Sequence, residues 1–306
     1  MIDAFWEKLG EGLAGQWNAR ALTPAFAFWG GALLAWAYRH GWDKLIQLLQ
    51  SLDAVAGAAL LIAGVFLLAV SIGLVHWLAL PALRLAEGYW PRPLGWLGEL
   101  LVRRVNRVYL KRRLELEKLA KKYQADALDR RGSQRYARLD FKLDHLPVDA
   151  RLRLPTRLGN TLRAAEEYPA LHYGLEISVA WPRLWLVLPE SAQTELAAAR
   201  QALNEGVQLL VWGLAFLAWS VWAWWAFIPA LGVILAAWLR LPAAALVYAQ
   251  LLRAAFDLHR FHLYDALSWP RPTHPALEKA HGEALTQHLK RHLADPQAQF
   301  AAPEKE

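Results

Sequence analysis

Two stretches of the chain contain no Asp, Glu, Lys or Arg: Ala54 to Leu83, 30 residues, and Gly206 to Leu239, 34 residues. Runs of that length exceed what a soluble core helix uses and suit the roughly 20 residues that cross a bilayer. A shorter uncharged run of 18 residues, Ala21 to Tyr38, carries Pro24 near its start and ends at Arg39, His40 and Asp43. Proline is tolerated there because a first-turn N–H has no helical partner to lose. The 206–239 block continues past one charge, Arg240, to Leu252. That is enough for two crossings, Val207–Trp225 and Ala230–Leu251, with a turn at Phe227-Ile228-Pro229. The surplus length of 54–83 predicts an exit near His76–Trp77 or at Pro81. The pattern predicts an all-α integral membrane protein with four transmembrane helices in two hairpins.

Charge sets the expected orientation. Residues 39–53 hold only Arg39 and Lys44 as cations and the 226–230 turn holds none, whereas 84–205 and the tail from Arg253 hold 29 of the 34. Cations accumulate on the cytoplasmic side. The expected organisation is an N-terminal amphipathic segment (1–20), a first hairpin (21–83), a basic and mainly helical cytosolic insert (84–206), a second hairpin (207–252) and a cytosolic C-terminal tail (253–306). This places the chain in the inner (cytoplasmic) membrane as a multi-pass protein with both termini cytoplasmic. The first 17 residues lack a basic n-region leading into an apolar run, so no cleavable signal peptide is expected.

Composition adds two points. The 17 Trp suit a protein with interfacial indole belts, and the net charge of +7 is segregated rather than spread. The absence of Cys excludes disulfides, thiolate metal sites and Cys nucleophiles.

Within the insert, Leu97, Leu101, Val105 and Val108 mark one face of a helix over Pro93–Tyr123, and cations from Arg103 to Lys122 crowd the rest. Glu117 and Lys121 are spaced as an ion pair. One reading lays this helix on anionic lipid headgroups; the other makes it an ordinary juxtamembrane helix packed on its neighbours. No nucleic-acid-binding motif accompanies the cations, so nucleic acid is not an expected partner. Residues 124–153 are polar, with a loop expected at Arg130-Arg131-Gly132-Ser133. The segment LPTRLGNTLRAAEEYP (154–169) reads as a short helix capped by Thr156 and terminated by Pro169. Gly159-Asn160 is unfavourable inside a helix by about 1 kcal/mol, which implies that something approaches closely there. Arg157, Asn160, Arg163 and Glu166 are the candidate motif residues. Ile177–Leu188 is too short to span, is expected to be broken at Pro182 and reads as insert core. Ser191 is expected to cap an Ala-rich helix running into the third span.

The segments PTRLGNTLRAAEEYP…YGLEISVAWPRLW and FDLHRFHLYDALSWPRP resemble an uncharacterised family of bacterial multi-pass membrane proteins, over most of the chain from about Leu85. That family has no assigned activity, so the resemblance implies a membrane location. In arrangement alone the chain is similar to bestrophin-type anion channels, which would imply an oligomeric channel; that family's sequence motifs are not matched here.

A WPRP tetrapeptide follows each hairpin, at 90–93 and 269–272. It marks either a parallel repeat or a shared way of leaving the membrane, with Trp at the interface and Pro stopping the helix. Six of the ten His lie in the tail. His288 and His292 share a helix face and are weak metal candidates, without a third ligand set by spacing. No zinc-protease, nucleophile-elbow or phosphate-loop signature is present. The expectation is a non-enzyme without a cofactor.

Arg240 stands out as a cation near the middle of the expected fourth span, two residues before Pro242. Such a charge costs at least about 2.5–3.5 kcal/mol in lipid and normally faces protein or water. His76, the other titratable group deep in an apolar run, is its candidate neighbour. Gly57, Gly64, Gly73, Gly213 and Gly232 permit close helix packing. Together these residues suggest a homo-oligomeric channel or pore, anion-permeable and gated through the cytosolic insert, with Arg240, His76 and Pro242 as pore or gating residues. The alternative is a membrane-anchored scaffold that recruits a cytosolic protein partner without transporting anything.

Overall fold

The computed structural model describes residues 19–291. Nearly all of the amphipathic segment expected at 1–20 lies outside the described residues, as do His292 and the terminus beyond it. The described residues are helical without strands: α1 (Ala19–His40), α2 (Trp42–Gln50), α3 (Ala54–Glu87), α4 (Gly95–Gln124), α5 (Arg130–Asp144), α6 (Arg157–Tyr173), α7 (Ile177–Val187), α8 (Glu190–Phe216), α9 (Phe227–Ala266) and α10 (Pro275–Arg291), with short 3-10 turns between some of them. Three helices, beginning at Ala54, Glu190 and Trp224, are long and apolar enough to cross a membrane. The helix expected as a further crossing, α1, is not among them.

Several local expectations are corrected. The helix of the 54–83 run, α3, continues to Glu87 with Pro81 inside it. The 39–53 connection contains α2, whose Trp42, Ile46 and Leu49 are exposed on one face. The second-hairpin turn falls at Trp222-Ala223, between 3-10 segments Leu217–Val221 and Trp224–Ala226, and not at 227–229. Pro229 sits in the first turn of α9, where proline fits. Arg130–Ser133 is the start of α5 and not a loop, because the Asp129 side chain accepts from the Gly132 amide at 2.8 Å as an N-cap. Neither Pro169 nor Pro182 ends its helix; each sits inside, in α6 and α7. α8 begins at Glu190, so Ser191 lies within its first turn. Glu117 pairs with Arg113 at 3.2 Å rather than with Lys121.

The described chain falls into two compact units, and the division runs within α3, α8 and α9. One unit takes the chain up to Leu83 together with Asn204–Leu241. Its interior is aromatic: Phe28 lies 5.3 Å from Trp212 and 5.0 Å from Trp219 between ring centroids. The Trp29 indole donates to the Ser71 hydroxyl at 3.3 Å, joining α1 to α3. Gly213 lets α8 approach α9, since a Cβ there would lie 2.9 Å from the Ile234 side chain. The other four glycines expected to mediate packing, Gly57, Gly64, Gly73 and Gly232, face open space. So does most of α3, where Leu61, Ile62 and Phe66 are exposed.

The second unit takes Arg84–Leu203 and the chain from Pro242 onward. Its core joins Ala165 of α6, Leu184 of α7, Leu196 of α8, Phe256 and Tyr264 of α9, and Leu285 of α10. α6 is fixed at both ends. At its start the Thr156 hydroxyl accepts from the Gly159 amide at 3.0 Å, as the cap expected from sequence. At its end Gly174 adopts a left-handed conformation (φ 69°) and the Thr286 hydroxyl of α10 donates to its carbonyl at 3.0 Å. α10 can approach because position 282 is glycine; a Cβ there would sit 1.8 Å from the Tyr173 carbonyl oxygen.

The two WPRP segments follow helix ends of one type. The Tyr89 amide donates to the Arg84 carbonyl and the Trp269 amide to the Tyr264 carbonyl, both at 2.9 Å and both spanning five residues. Each bond wraps a left-handed residue, Gly88 (φ 107°) and Ser268 (φ 52°). The tryptophans then diverge: the Trp90 indole donates to the Leu85 carbonyl at 2.9 Å, whereas Trp269 is buried against His288.

Candidate functional site

In the first unit Arg240 directly follows Trp238 and Leu239, which are 61% and 67% exposed, and is itself exposed. No hydrogen bond or ion pair reaches its guanidinium within the described residues. His76 is not its partner: the His76 Nδ1 lies 3.2 Å from the Gln208 amide nitrogen, across α3 and α8. α9 passes through Pro242 without interruption. Proline has no N–H for the carbonyl four residues earlier, Trp238, which belongs to the same exposed strip as Arg240.

In the second unit the four motif residues separate into different roles. Asn160 is 2% exposed and structural. Its amide nitrogen donates to the Leu154 carbonyl at 2.6 Å and the Thr156 carbonyl at 2.7 Å, and its oxygen accepts from the Leu154 amide at 2.9 Å. These bonds close the turn leading into α6. The close approach implied by Gly159 is that of the α3 C-terminus, since a Cβ at 159 would lie 1.9 Å from the Glu87 carbonyl oxygen. The same carbonyl accepts from the Thr156 hydroxyl at 2.7 Å. A helix-end carbonyl that has no intrahelical partner is thus capped from α6. Arg163 pairs with Glu166 at 2.8 Å, one turn along α6. Arg157 is exposed and takes no part.

Beyond this capped end, five helices line an open cavity of about 260 Å³. Glu87 lines it from α3, Leu162 and Glu166 from α6, Ile177, Ser178, Trp181 and Pro182 from α7, Arg200 from α8, and Tyr248 and Leu252 from α9. Pro182 has no N–H for the Ser178 carbonyl, so a proline inside a short helix here leaves an acceptor beside the cavity. The Glu166 carboxylate is already engaged by Arg163, and the Ser178 hydroxyl donates to Glu176 at 2.6 Å. Arg200 lies 5.5 Å over the Tyr248 ring. Burial pushes the Glu87 carboxyl above the usual carboxylate range; Glu166 adds to this, while Arg84, Arg200 and Arg163 oppose it.

No family model matches this chain. Neither does any curated protein or solved structure.

Of the four candidate motif residues, only Glu166 lines the cavity. Glu87, Trp181, Arg200 and Tyr248 come from segments that no local pattern connects. One signal did exist, in that Glu87 and Arg200 are ionisable residues flanking the two long apolar blocks. Of the two weak metal candidates, His288 packs at 4.9 Å on Trp269 and His292 lies outside the described residues. Among the described residues no three His, Asp or Glu side chains are grouped to hold a metal.

Proposed function

We propose that this protein is one subunit of a homo-oligomeric membrane channel, permeable to anions and gated through its cytosolic insert, with no enzymatic chemistry of its own. In this reading the chain crosses the inner membrane four times, by α1, the apolar part of α3, α8 with its 3-10 extension, and the first half of α9. Both termini and the insert are cytoplasmic.

The observation that carries the reading is Arg240. A single chain leaves this guanidinium exposed and unpaired on a strip of Trp238 and Leu239, an arrangement unfavourable against lipid by at least about 2.5–3.5 kcal/mol. A neighbouring copy facing a water-filled pore relieves that cost, and a ring of such cations favours anions. The open faces of Gly57, Gly64 and Gly73 on α3 support close packing between copies. In α4, exposed Trp96, Leu100, Leu110 and Leu114 interleave with Arg103, Arg104, Arg107 and Lys111. That mixture suits an anionic lipid surface, with apolar side chains at the acyl boundary and cations on phosphate.

The test is the mass of the purified protein in lipid nanodiscs, measured by native mass spectrometry. A ring of three or more chains supports the channel. A monomer or dimer rejects it in favour of a membrane-anchored scaffold for a cytosolic partner.

A further inference from the structure

The cavity of the second unit holds two opposite charges that the protein does not join. The Glu87 carboxylate accepts no hydrogen bond and forms no ion pair within the described residues. The Arg200 guanidinium rests against Tyr248 and likewise forms no ion pair. The remaining charged lining group, Glu166, is occupied by Arg163. Glu87 and Arg200 thus face a shared space of about 260 Å³ without touching.

We propose that this cavity binds a small zwitterion, with its ammonium on Glu87 and its oxyanion on Arg200. A simple cation would satisfy Glu87 but be opposed by Arg200, and a simple anion would meet the reverse conflict. A molecule carrying both charges a few bonds apart satisfies both at once through charge-assisted hydrogen bonds. Trp181 supplies an aromatic face for the ammonium and for the carbons between the charges, while Leu162 and Leu252 complete the apolar wall. The volume lies just below the roughly 300–1,000 Å³ of drug-sized sites, which restricts the ligand to a small solute or a headgroup. Burial here holds the Glu87 carboxyl above the usual carboxylate range.

The chemistry, a primary ammonium two to four bonds from the carbon of a carboxylate or the phosphorus of a phosphate, has two sources. One is a free zwitterionic solute and the other is the ethanolamine headgroup of a membrane lipid. The site stands apart from the pore reading, because it lies wholly within the second unit and its test records no current.

The test uses the full chain in nanodiscs and isothermal titration with O-phosphoethanolamine and ethyl phosphate, which differ by the ammonium. The wild-type protein should bind O-phosphoethanolamine at least about tenfold more tightly, the size of one charge-assisted contact. In Glu87→Gln that preference should shrink to within about twofold, and Arg200→Gln should weaken both probes. Thermal melting of each variant confirms that it is folded, and Glu87→Asp, which keeps the charge, should retain the preference. In a parallel arm, native mass spectrometry compares lipid retained from phosphatidylethanolamine and from phosphatidylglycerol nanodiscs. Selective retention of the ethanolamine lipid, lost in Glu87→Gln, assigns the site to a headgroup; binding of the soluble probe alone assigns it to a free solute. Failure of both the probe and the lipid, or a preference that survives Glu87→Gln, overturns the proposal.

Discussion

Gly159 and Glu87 meet so closely that a Cβ on the glycine would lie 1.9 Å from the glutamate's carbonyl oxygen. The obstacle is backbone, at the end of a 34-residue helix, and the Thr156 hydroxyl holds the same oxygen at 2.7 Å. Neither side can yield cheaply. Gly159→Ala is expected to destabilise the protein by about 3 kcal/mol, the upper range for overpacking. Thermal unfolding in detergent should show this as a large drop in Tm, whereas Gly64→Ala, at a glycine facing open space, should leave Tm nearly unchanged.

Asn160 donates to two carbonyls from one amide nitrogen. Asn160→Asp replaces that donor with an acceptor facing the Leu154 and Thr156 oxygens. The expected cost is about 2–3 kcal/mol, from a buried group left unsatisfied. It should grow as pH rises through the ordinary carboxylate range near 4, because only the protonated acid can donate. Chemical unfolding of the variant at pH 4 and pH 7 checks both the loss and its direction.

Ser268 holds a left-handed conformation, φ 52°, at the end of α9, where the equivalent stop after α3 uses Gly88. A residue with a Cβ is strained there by about 1 kcal/mol. Ser268→Gly is therefore expected to raise stability by up to about 1 kcal/mol, read as a higher Tm. Gly88→Ala should lower it, both through backbone strain and because a Cβ would lie 2.5 Å from the Pro155 ring.

Glu87 gives a pH dependence whose sign follows from its upward shift. A carboxyl that holds its proton more tightly folded than unfolded favours the folded state at low pH. That contribution is complete below the unfolded value and is lost as pH rises through the folded one. Glu87→Gln stays neutral throughout, so it should melt above the wild type at pH 8 and converge with it near pH 4. Equal melting differences at both pH values would contradict the account.

The parts of this fold legible in the sequence are those that local chemistry dictates. The helical, membrane-suited character followed from charge-free length, and the Thr156 cap from its residue type. Gly159-Asn160 announced a close approach because neither residue belongs in a helix interior otherwise. Three things escaped. Pro169 and Pro182 read as helix ends, yet both lie inside helices that contribute to one buried core, where tertiary packing outweighs the lost hydrogen bond. The small amphipathic helix α2 was hidden in a connection of nine helical residues, too short for periodicity to register. The cavity pair, Glu87 and Arg200, is separated by more than a hundred residues, and only the packing of α3, α6 and α8 brings it together.

The channel reading rests on Arg240 facing permeating anions. Its most direct test is the reversal potential of purified protein in planar bilayers under a tenfold KCl gradient, for the wild type and Arg240→Glu. The wild type is expected to reverse toward the chloride equilibrium potential, about 59 mV in magnitude at ideal selectivity, and Arg240→Glu to move toward zero or invert. No conductance from oligomeric wild-type protein, or an unchanged reversal potential in Arg240→Glu, would contradict it.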